Sequence, residues 1–409
     1  MKRVVISGVG AVSALGHDVA SLVGGIEEGR SAVRYMEGWD QYVGLRSLVG
    51  APAELKNEKA IPRKNRRSMG RMSIFAVQAA EQALADAGLG QENLSSGRIG
   101  CIIGSTMGGA ESLNETFETM LPEKDLSKLT AVKFFQCVSH TAAMNVAQYL
   151  GITGYVMATS AACASSLQAI GTGYDLIRMG KQDAVLCGGS EELHPTVTAS
   201  FDILLATSCG YNDDPQKTPR PFDSKRDGLV CGEGCGMLAL EEYERALSRK
   251  AKIYAEIIGY HTGGSGEHVS QSNREAIVFC LREALASAEV SPREIDYISA
   301  HGTATTHGDK VEAQAIREVF GDTVPVSSLK GYIGHTLGAS GALELIVSLG
   351  MMERGMIYPS LNLERVDEEC EGIRHVMKPL PCDIGILIKN CFAFGGINAA
   401  LVCKRLEPR

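Results

Sequence analysis

Ser160-Ala161-Ala162-Cys163-Ala164-Ser165-Ser166 lies inside a longer run, Val156 to Glu192, whose reading decides the fold. The run opens with a short strand-like segment that feeds directly into Cys163. Behind the cysteine, Leu167, Ile170, Tyr174 and Ile177 recur at helical spacing, and Gly180 stands where that helix should stop. Ala184-Val-Leu-Cys187 then reads as a strand ending in Gly188-Gly189. A cysteine at the start of a helix faces unpaired backbone amides and the positive end of the macrodipole, and both favour the thiolate. One cysteine among 12 would ordinarily read as a small buried apolar residue. The strand–turn–cysteine–helix layout, with Ala and Ser leaving room around the sulfur, points to a nucleophile instead.

Outward from this unit the chain repeats itself weakly. Ala83-Leu-Ala-Asp-Ala-Gly-Leu89 closes a helix that begins near Arg71, and the strand Ile99-Gly-Cys-Ile-Ile103 follows. Later, Ala284-Leu-Ala-Ser-Ala-Glu-Val290 closes a similar helix before the strand Ile295-Asp-Tyr-Ile-Ser-Ala300. The openings correspond too: Lys2-Arg-Val-Val-Ile-Ser-Gly8 resembles Lys252-Ile-Tyr-Ala-Glu-Ile-Ile-Gly259. Each half supplies one more strand–turn–helix, the Cys163 unit in the first and Val324 to Lys330 in the second. A small-residue helix from Leu337 to Glu353 follows the latter.

Alternating strands and helices predict an α/β fold of two similar halves, 1–250 and 251–409, with helices on the faces of parallel or mixed sheets. The boundary falls near residue 250 because Glu241 to Lys250 reads as a charged, solvent-facing helix between two strands. Side by side, such halves bring equivalent strand ends to a shared axis, where sites are commonly built. Residues 105–150 have no counterpart of similar length and are expected to form an inserted cap over the site.

Composition narrows the function. The chain has 409 residues, 44% hydrophobic and 22% charged, enough for a large core without low-complexity tracts. A formal net charge of −8 argues against generic nucleic-acid or anionic-membrane binding. No apolar run reaches the roughly 18–20 residues of a membrane span. The N-terminal Met1-Lys-Arg-Val-Val-Ile resembles a signal peptide, but Gly8 and Gly10 interrupt it, and a first strand followed by a glycine turn is the better reading. The cysteines are scattered, with no CxxC pair and no metal-ligand spacing beside histidine. That predicts a reducing compartment, cytoplasmic, with no disulfide framework and no metal site.

Three further segments carry residues that mean little singly. His301-Gly-Thr-Ala-Thr305 emerges from the end of a strand. Lys330-Gly-Tyr-Ile-Gly-His335 places an ammonium and a second imidazole at a glycine-rich turn. Asn390-Cys-Phe-Ala-Phe-Gly-Gly-Ile-Asn398 forms an aromatic–glycine loop. Alone, either histidine would be structural and the lysine a surface residue; the adjoining Gly302, Gly331 and Gly334 suggest a backbone approached by a ligand. Together they suit one chemistry. A thiolate accepts an acyl group from a thioester, and helix amides hold the oxyanion. Two imidazoles donating Nε2–H bonds hold the thioester oxygen of a second substrate as an enolate forms. A Cys/His/Asn hydrolase would need one histidine; the second histidine and the lysine favour a Claisen condensation.

The chain resembles the elongating β-ketoacyl-acyl carrier protein synthases (synthase I/II type) of the thiolase superfamily, from Val4-Val-Ile-Ser-Gly8 to Gly395-Gly-Ile-Asn398. Pro221-Phe-Asp-Ser-Lys-Arg-Asp-Gly-Leu-Val-Cys-Gly-Glu-Gly234 is similar to a signature of that family. The resemblance implies a thiolase-like, layered αβαβα double domain and an acyltransferase that decarboxylates malonyl-acyl carrier protein, extending a fatty-acid or polyene/polyketide chain by two carbons. It implies Cys163 as the acylated nucleophile, and His301 and His335 as ligands of the malonyl thioester carbonyl. Lys330 would anchor the site, paired with Glu312, with Asp309 and Glu312 as acidic positions behind the His301 loop. The amides of Cys163 and Phe394 would form the oxyanion hole. Thr303 and Thr305 would bind pantetheine, Phe394 would be a gate, and Met107 would line the acyl pocket.

No cofactor of its own is implied, because phosphopantetheine arrives on the carrier. Departures from the family pattern are Ala161 in the elbow, Ala393 and Ile397 in the C-terminal loop, and an extra His307. None removes a catalytic group.

The carrier of this family is acidic, so an acidic enzyme needs a local basic patch. Arg63, Lys64, Arg66, Arg67 and Arg71 are the concentrated basic run, with Lys124 and Lys128 as weaker candidates. The family is usually a homodimer, with a heterodimer of related subunits as the alternative. Two other classes compete. A thiolase acting on coenzyme A esters would use a second cysteine, for which Cys391 is placed, but Lys330 and His335 argue against it. A non-catalytic chain-length-factor subunit would lack Cys163.

Overall fold

β1 (Val4–Ser13) is buried along its whole length, as a strand covered on both faces must be. Gly8 and Gly10 sit in it because a helix crosses directly above. A Cβ at Gly8 would lie 2.3 Å from the Ala83 carbonyl oxygen, and one at Gly10 would lie 2.0 Å from that of Ala79. That helix, α1 (Arg71–Ala87), ends on Gly88 in the left-handed conformation. The first half continues with β2 (Ile99–Gly104), α2 (Thr141–Leu150), β3 (Val156–Thr159), α3 (Ser165–Arg178), β4 (Ala184–Glu191) and β5 (Gly234–Glu242). The second half runs through β6 (Ala255–Gly264), α4 (Arg274–Ala288), β7 (Tyr297–Ser299), α5 (Thr306–Phe320) and β8 (Pro325–Ser327). It closes with α6 (Ser340–Arg354), β9 (Ile386–Phe392) and β10 (Ile397–Lys404). These elements come from a computed structural model that describes residues 1–406; 407–409, the end of the second half, lie outside the described residues.

The weak repeat is a structural one. The first five strands lie in the order β3-β2-β4-β5-β1, and the second five in the order β8-β7-β9-β10-β6. Both are the order third, second, fourth, fifth, first. The close helix crossing is repeated as well, since a Cβ at Gly259 in β6 would lie 2.6 Å from the Ala284 carbonyl oxygen in α4. A short antiparallel pairing of β1 with β6, Val4 opposite Ile257, joins the two sheets. A two-residue strand, Arg374–His375, extends the far edge beside β8.

Three apolar clusters fill the layers. One lies between α1, α2 and the first sheet, and another between α4, α5 and the second. The third surrounds α3 and α6, which lie against each other between the sheets. α6 is buried from Ser340 through Met352, as a helix enclosed on every side has to be. The result is the layered αβαβα stack of a thiolase-like fold. No helix among the described residues is long and apolar enough to cross a membrane.

Three expectations change in detail. β4 does not end at Gly188-Gly189 but runs through them to Glu191. The glycines are there for close approach: a Cβ at Gly189 would lie 2.3 Å from the Gly338 carbonyl oxygen. The charged helix between the halves is only Tyr243–Ser248, with Tyr243 and Ala246 buried. Glu241 belongs to β5 and is itself buried, held by Arg245 and Arg249. Within 105–150, α2 packs into an outer layer against α1 and β2. The additional helices are Ala110–Met120 and Ala131–Cys137, with a single 3-10 turn at Leu126–Lys128 between them.

Candidate active site

β3 delivers the chain to Cys163 through a strained elbow in which Ala162 is left-handed, with φ +46°. Ser165 Oγ ties the turn together, accepting from the Ala161 amide at 2.9 Å and donating to the Ala162 carbonyl at 2.6 Å. The amides of Ala164 and Ser165 donate back to the carbonyls of Ala161 and Ala162. The helix-start amides expected to face the sulfur are therefore spent within the turn. Cys163 is 5% exposed, and burial, opposed chiefly by the charge of Lys330, pushes its thiol up to about 12. Burial thus works against the thiolate that a helix N-terminus alone would favour.

What faces the sulfur is an imidazole. His335 Nε2 lies 2.9 Å from Cys163 Sγ. The Leu337 amide donates to His335 Nδ1 at 3.3 Å, so the proton of the neutral ring sits on Nε2 and points at the sulfur. His301 is fixed the same way: the Lys330 ammonium, a donor only, stands 3.4 Å from its Nδ1. The rings meet edge to face with centroids 5.2 Å apart. Burial, and then the charge of Lys330, hold both well below the usual imidazole range. Both are thus neutral Nε2–H donors aimed into one space.

Cys163 Sγ and the two histidines lie within 4.8 Å of one another, a grouping that resembles a metal site. A metal needs the Nε2 lone pair, and the donors at both Nδ1 atoms place a proton there instead. The shell around the rings is built for donation, not coordination.

Lys330 is completely buried. Its ammonium donates to the His301 carbonyl at 2.5 Å and to Glu344 Oε1 at 2.7 Å. The expected pairing with Glu312 is therefore wrong. The Glu312 carboxylate accepts the backbone amides of His301 and Gly302, at 2.7 and 2.6 Å, and so fixes the loop rather than the lysine. Asp309 does the same one turn away, accepting from the amides of Phe222 and Ala304. Burial pushes its carboxyl up to about 7. Arg226, from the Pro221–Gly234 signature, clamps this loop by donating to the Thr306 carbonyl at 3.0 Å. Sequence reasoning missed Glu344, and it missed Lys389, which donates to Glu344 Oε2 at 2.6 Å. Each is a lone charge in an apolar run, Gly341-Ala-Leu-Glu-Leu-Ile-Val347 and Ile386-Leu-Ile-Lys-Asn-Cys-Phe392, and that was the available signal.

Cys163, His301 and His335 line one chamber with Thr303, Thr305, Phe392 and Phe394. Thr303 and Thr305 join hydroxyls at 3.0 Å on its wall, and Phe394 stacks against Phe201 with centroids 5.7 Å apart. The amides of Ala393 and Gly395 donate to Ile397 and Val269, while that of Phe394 has no protein acceptor among the described residues. His307 is at the chamber wall as well, bonded to the Ser272 carbonyl at 3.1 Å. The remaining wall comes from 201–206, 227–229 and 270–272 together with Thr306, Gly308 and Glu312, with no residue of 105–150. The expected cap stands beside the site, not over it. Met107 is 44% exposed and does not line the chamber of this single chain.

Of the basic residues, Arg71 is not available to a partner. It chelates the buried Glu233 at 2.9 and 2.7 Å and joins the two ends of the fold's first half. Arg66 is half-buried and donates to the Glu58 carbonyl. Arg63, Lys64 and Arg67 are exposed, as are Lys124 and Lys128, although Glu123 pairs with Lys128.

Comparison with known proteins places the chain among them as a whole. The family profile described as Beta-ketoacyl synthase, N-terminal domain, matches residues 1–246, and its C-terminal counterpart matches residues 254–364. The chain is 38% identical over 411 residues to 3-oxoacyl-(acyl-carrier-protein) synthase 1 of Escherichia coli (strain K12), with 100% of both chains covered. Among solved structures it is similar to a beta-ketoacyl synthase from Burkholderia phymatum STM815, with a TM-score of 0.96, 45% identity and 100% of both chains covered. It is also similar to a type II polyketide ketosynthase solved with its acyl-carrier protein and bound to the hexaketide. There the TM-score is 0.91 at 29% identity, covering 99% of this chain and 100% of that one.

Proposed function

The chain belongs to the β-ketoacyl synthase family, and from that premise we propose how its own residues perform the condensation. It is a condensing acyltransferase of the 3-oxoacyl-carrier-protein synthase type. Cys163 attacks the carbonyl of an acyl-carrier thioester. The amides of Cys163 and Phe394 hold the oxyanion, and collapse leaves acyl-Cys163 while the thiol proton leaves on the carrier thiol. Malonyl-carrier then enters along Thr303 and Thr305. His301 and His335 donate Nε2–H bonds to its thioester oxygen, carbon dioxide departs, and the electron pair of the broken carbon–carbon bond becomes the enolate. The enolate carbon attacks acyl-Cys163 and expels the cysteine sulfur, giving a 3-oxoacyl-carrier longer by two carbons.

The observation that carries this reading is the pair of neutral imidazoles, each forced into the Nε2–H form from behind and directed to the same side of one sulfur. Hydrolysis would use one imidazole beside the sulfur, whereas two Nε2–H donors converging on one space match an enolate oxygen. The test is to supply purified protein with acyl-carrier and malonyl-carrier and follow carbon dioxide and product mass. Free fatty acid in place of the 3-oxoacyl product would contradict it.

The finer assignments belong to the same proposal. The reading needs no resident cofactor, because phosphopantetheine is the carrier's. Residues 1–250 and 251–409 are taken as the two halves. Arg63, Lys64 and Arg67, with Lys124, are the docking patch that an acidic carrier would meet. The chain works as a homodimer in the cytoplasm. Support for the dimer is the exposed outer edge of β3, where Val156 and Met157 are 47% and 37% exposed on a strand paired with β2 along one edge only. Met107, also exposed, acts on the acyl chain only where a second copy covers that face.

A further inference from the structure

Lys389 is a second fully buried lysine, in the middle of the buried strand β9 and outside the reaction just described. Its register sets it directly beside Ser299 of β7, the strand that leads into His301. Four acceptors surround its ammonium: Glu344 Oε2 at 2.6 Å, the Asn390 carbonyl at 2.8 Å, and the carbonyls of Ser299 and Ala300 at 3.3 Å each. Lys330 takes the next carbonyl, that of His301, and the other oxygen of Glu344. Two ammoniums therefore hold three consecutive carbonyls at the end of β7, and one carboxylate bridges them. A lysine would not be kept in a strand interior for stability alone, because an apolar residue of similar volume would be no worse there.

We propose that Lys389 is a positioning residue for His301, holding the end of β7 and, through Glu344, the Lys330 ammonium that fixes the His301 ring. The inference rests on the condensing reaction proposed above. Its consequence is selective. Acylation of Cys163 does not use His301, whereas decarboxylation needs its Nε2–H aimed at the enolate oxygen. Displacement of such a group by about 1 Å costs roughly 10²-fold in rate.

Lys389→Met and Lys389→Gln test this in the full-length protein. Acyl transfer to Cys163 is followed by mass spectrometry, and decarboxylation by carbon dioxide release from malonyl-carrier. The expected result is decarboxylation lowered roughly 10²-fold with acyl transfer within a few-fold of the unmodified protein. The Gln variant keeps an amide donor for Glu344 or Ala300, so it reports where Met fails to fold. Equal losses in both half-reactions would mark Lys389 as merely structural and overturn the proposal, as would unchanged decarboxylation. Failure of the unmodified protein to decarboxylate malonyl-carrier would count against the condensing reading itself, a different outcome.

Discussion

Cys163 and Lys330 occupy equivalent places in the two halves: one lies between β3 and α3, the other between β8 and α6. Because those helices pack against each other in the middle layer, the repeat brings a thiol and the ammonium behind His301 to one axis. Nucleophile and donors are thus products of one duplicated unit, set to different chemistry by the residue at the turn.

Cys163→Ser and Cys163→Ala should abolish condensation. Cys187, Cys231 and Cys391 should tolerate alanine, since burial pushes their thiols upward as well and none has an imidazole at the sulfur. Peptide mapping of the acyl-enzyme checks this, and an acyl group on any other cysteine would contradict it.

His301→Ala and His335→Ala should separate the half-reactions. Loss of one preorganised donor costs on the order of 10²–10³ in rate. Both variants should still accept an acyl group but lose carbon dioxide release from malonyl-carrier by that factor. Normal decarboxylation in both would place their role elsewhere.

The raised thiol of Cys163 predicts a pH dependence. With a value pushed up to about 12, the thiolate is a small fraction at neutral pH and grows about tenfold per unit below that value. Alkylation of Cys163 by iodoacetamide in the free enzyme should therefore climb steadily from pH 7 to pH 9. A plateau below pH 8 would show that the elbow favours the thiolate after all.

Much of this was legible in the sequence. The duplicated strand–helix pattern and the elbow are local signals, read within a few residues of each other, whereas Gly8 and Gly10 lie within β1 beneath α1 and not in a turn after it. The partner of Lys330 was not legible, because Glu312 and Glu344 lie on different helices and only the packing of α6 decides which one meets the ammonium. Spacing likewise cannot tell that the Arg71 guanidinium folds back onto Glu233, or that the amides behind Cys163 are consumed by the turn. Each of these depends on long-range packing that no run of sequence displays.

Arg71 and the exposed basic residues should separate in their effects. Charge reversal at Arg63 or Arg67 should raise the apparent KM for acyl-carrier and flatten its salt dependence, with little effect on small pantetheine thioesters. Arg71→Glu should instead destabilise the fold by about 3–5 kcal/mol, since it leaves the Glu233 carboxylate buried without its partner. Melting temperature and carrier kinetics on the same variants distinguish the two. A stable Arg71→Glu protein with a raised KM would return Arg71 to the docking surface.

The central claim is that carbon–carbon bond formation passes through acyl-Cys163. Mass spectrometry of the purified protein, first with acyl-carrier and then with malonyl-carrier, tests it most directly. The account predicts an acyl adduct on the Cys163 peptide that disappears on adding malonyl-carrier. Carbon dioxide and a 3-oxoacyl-carrier two carbons longer should appear in matching amounts. An adduct that is absent, that sits on another cysteine, or that is released as free acid would contradict it.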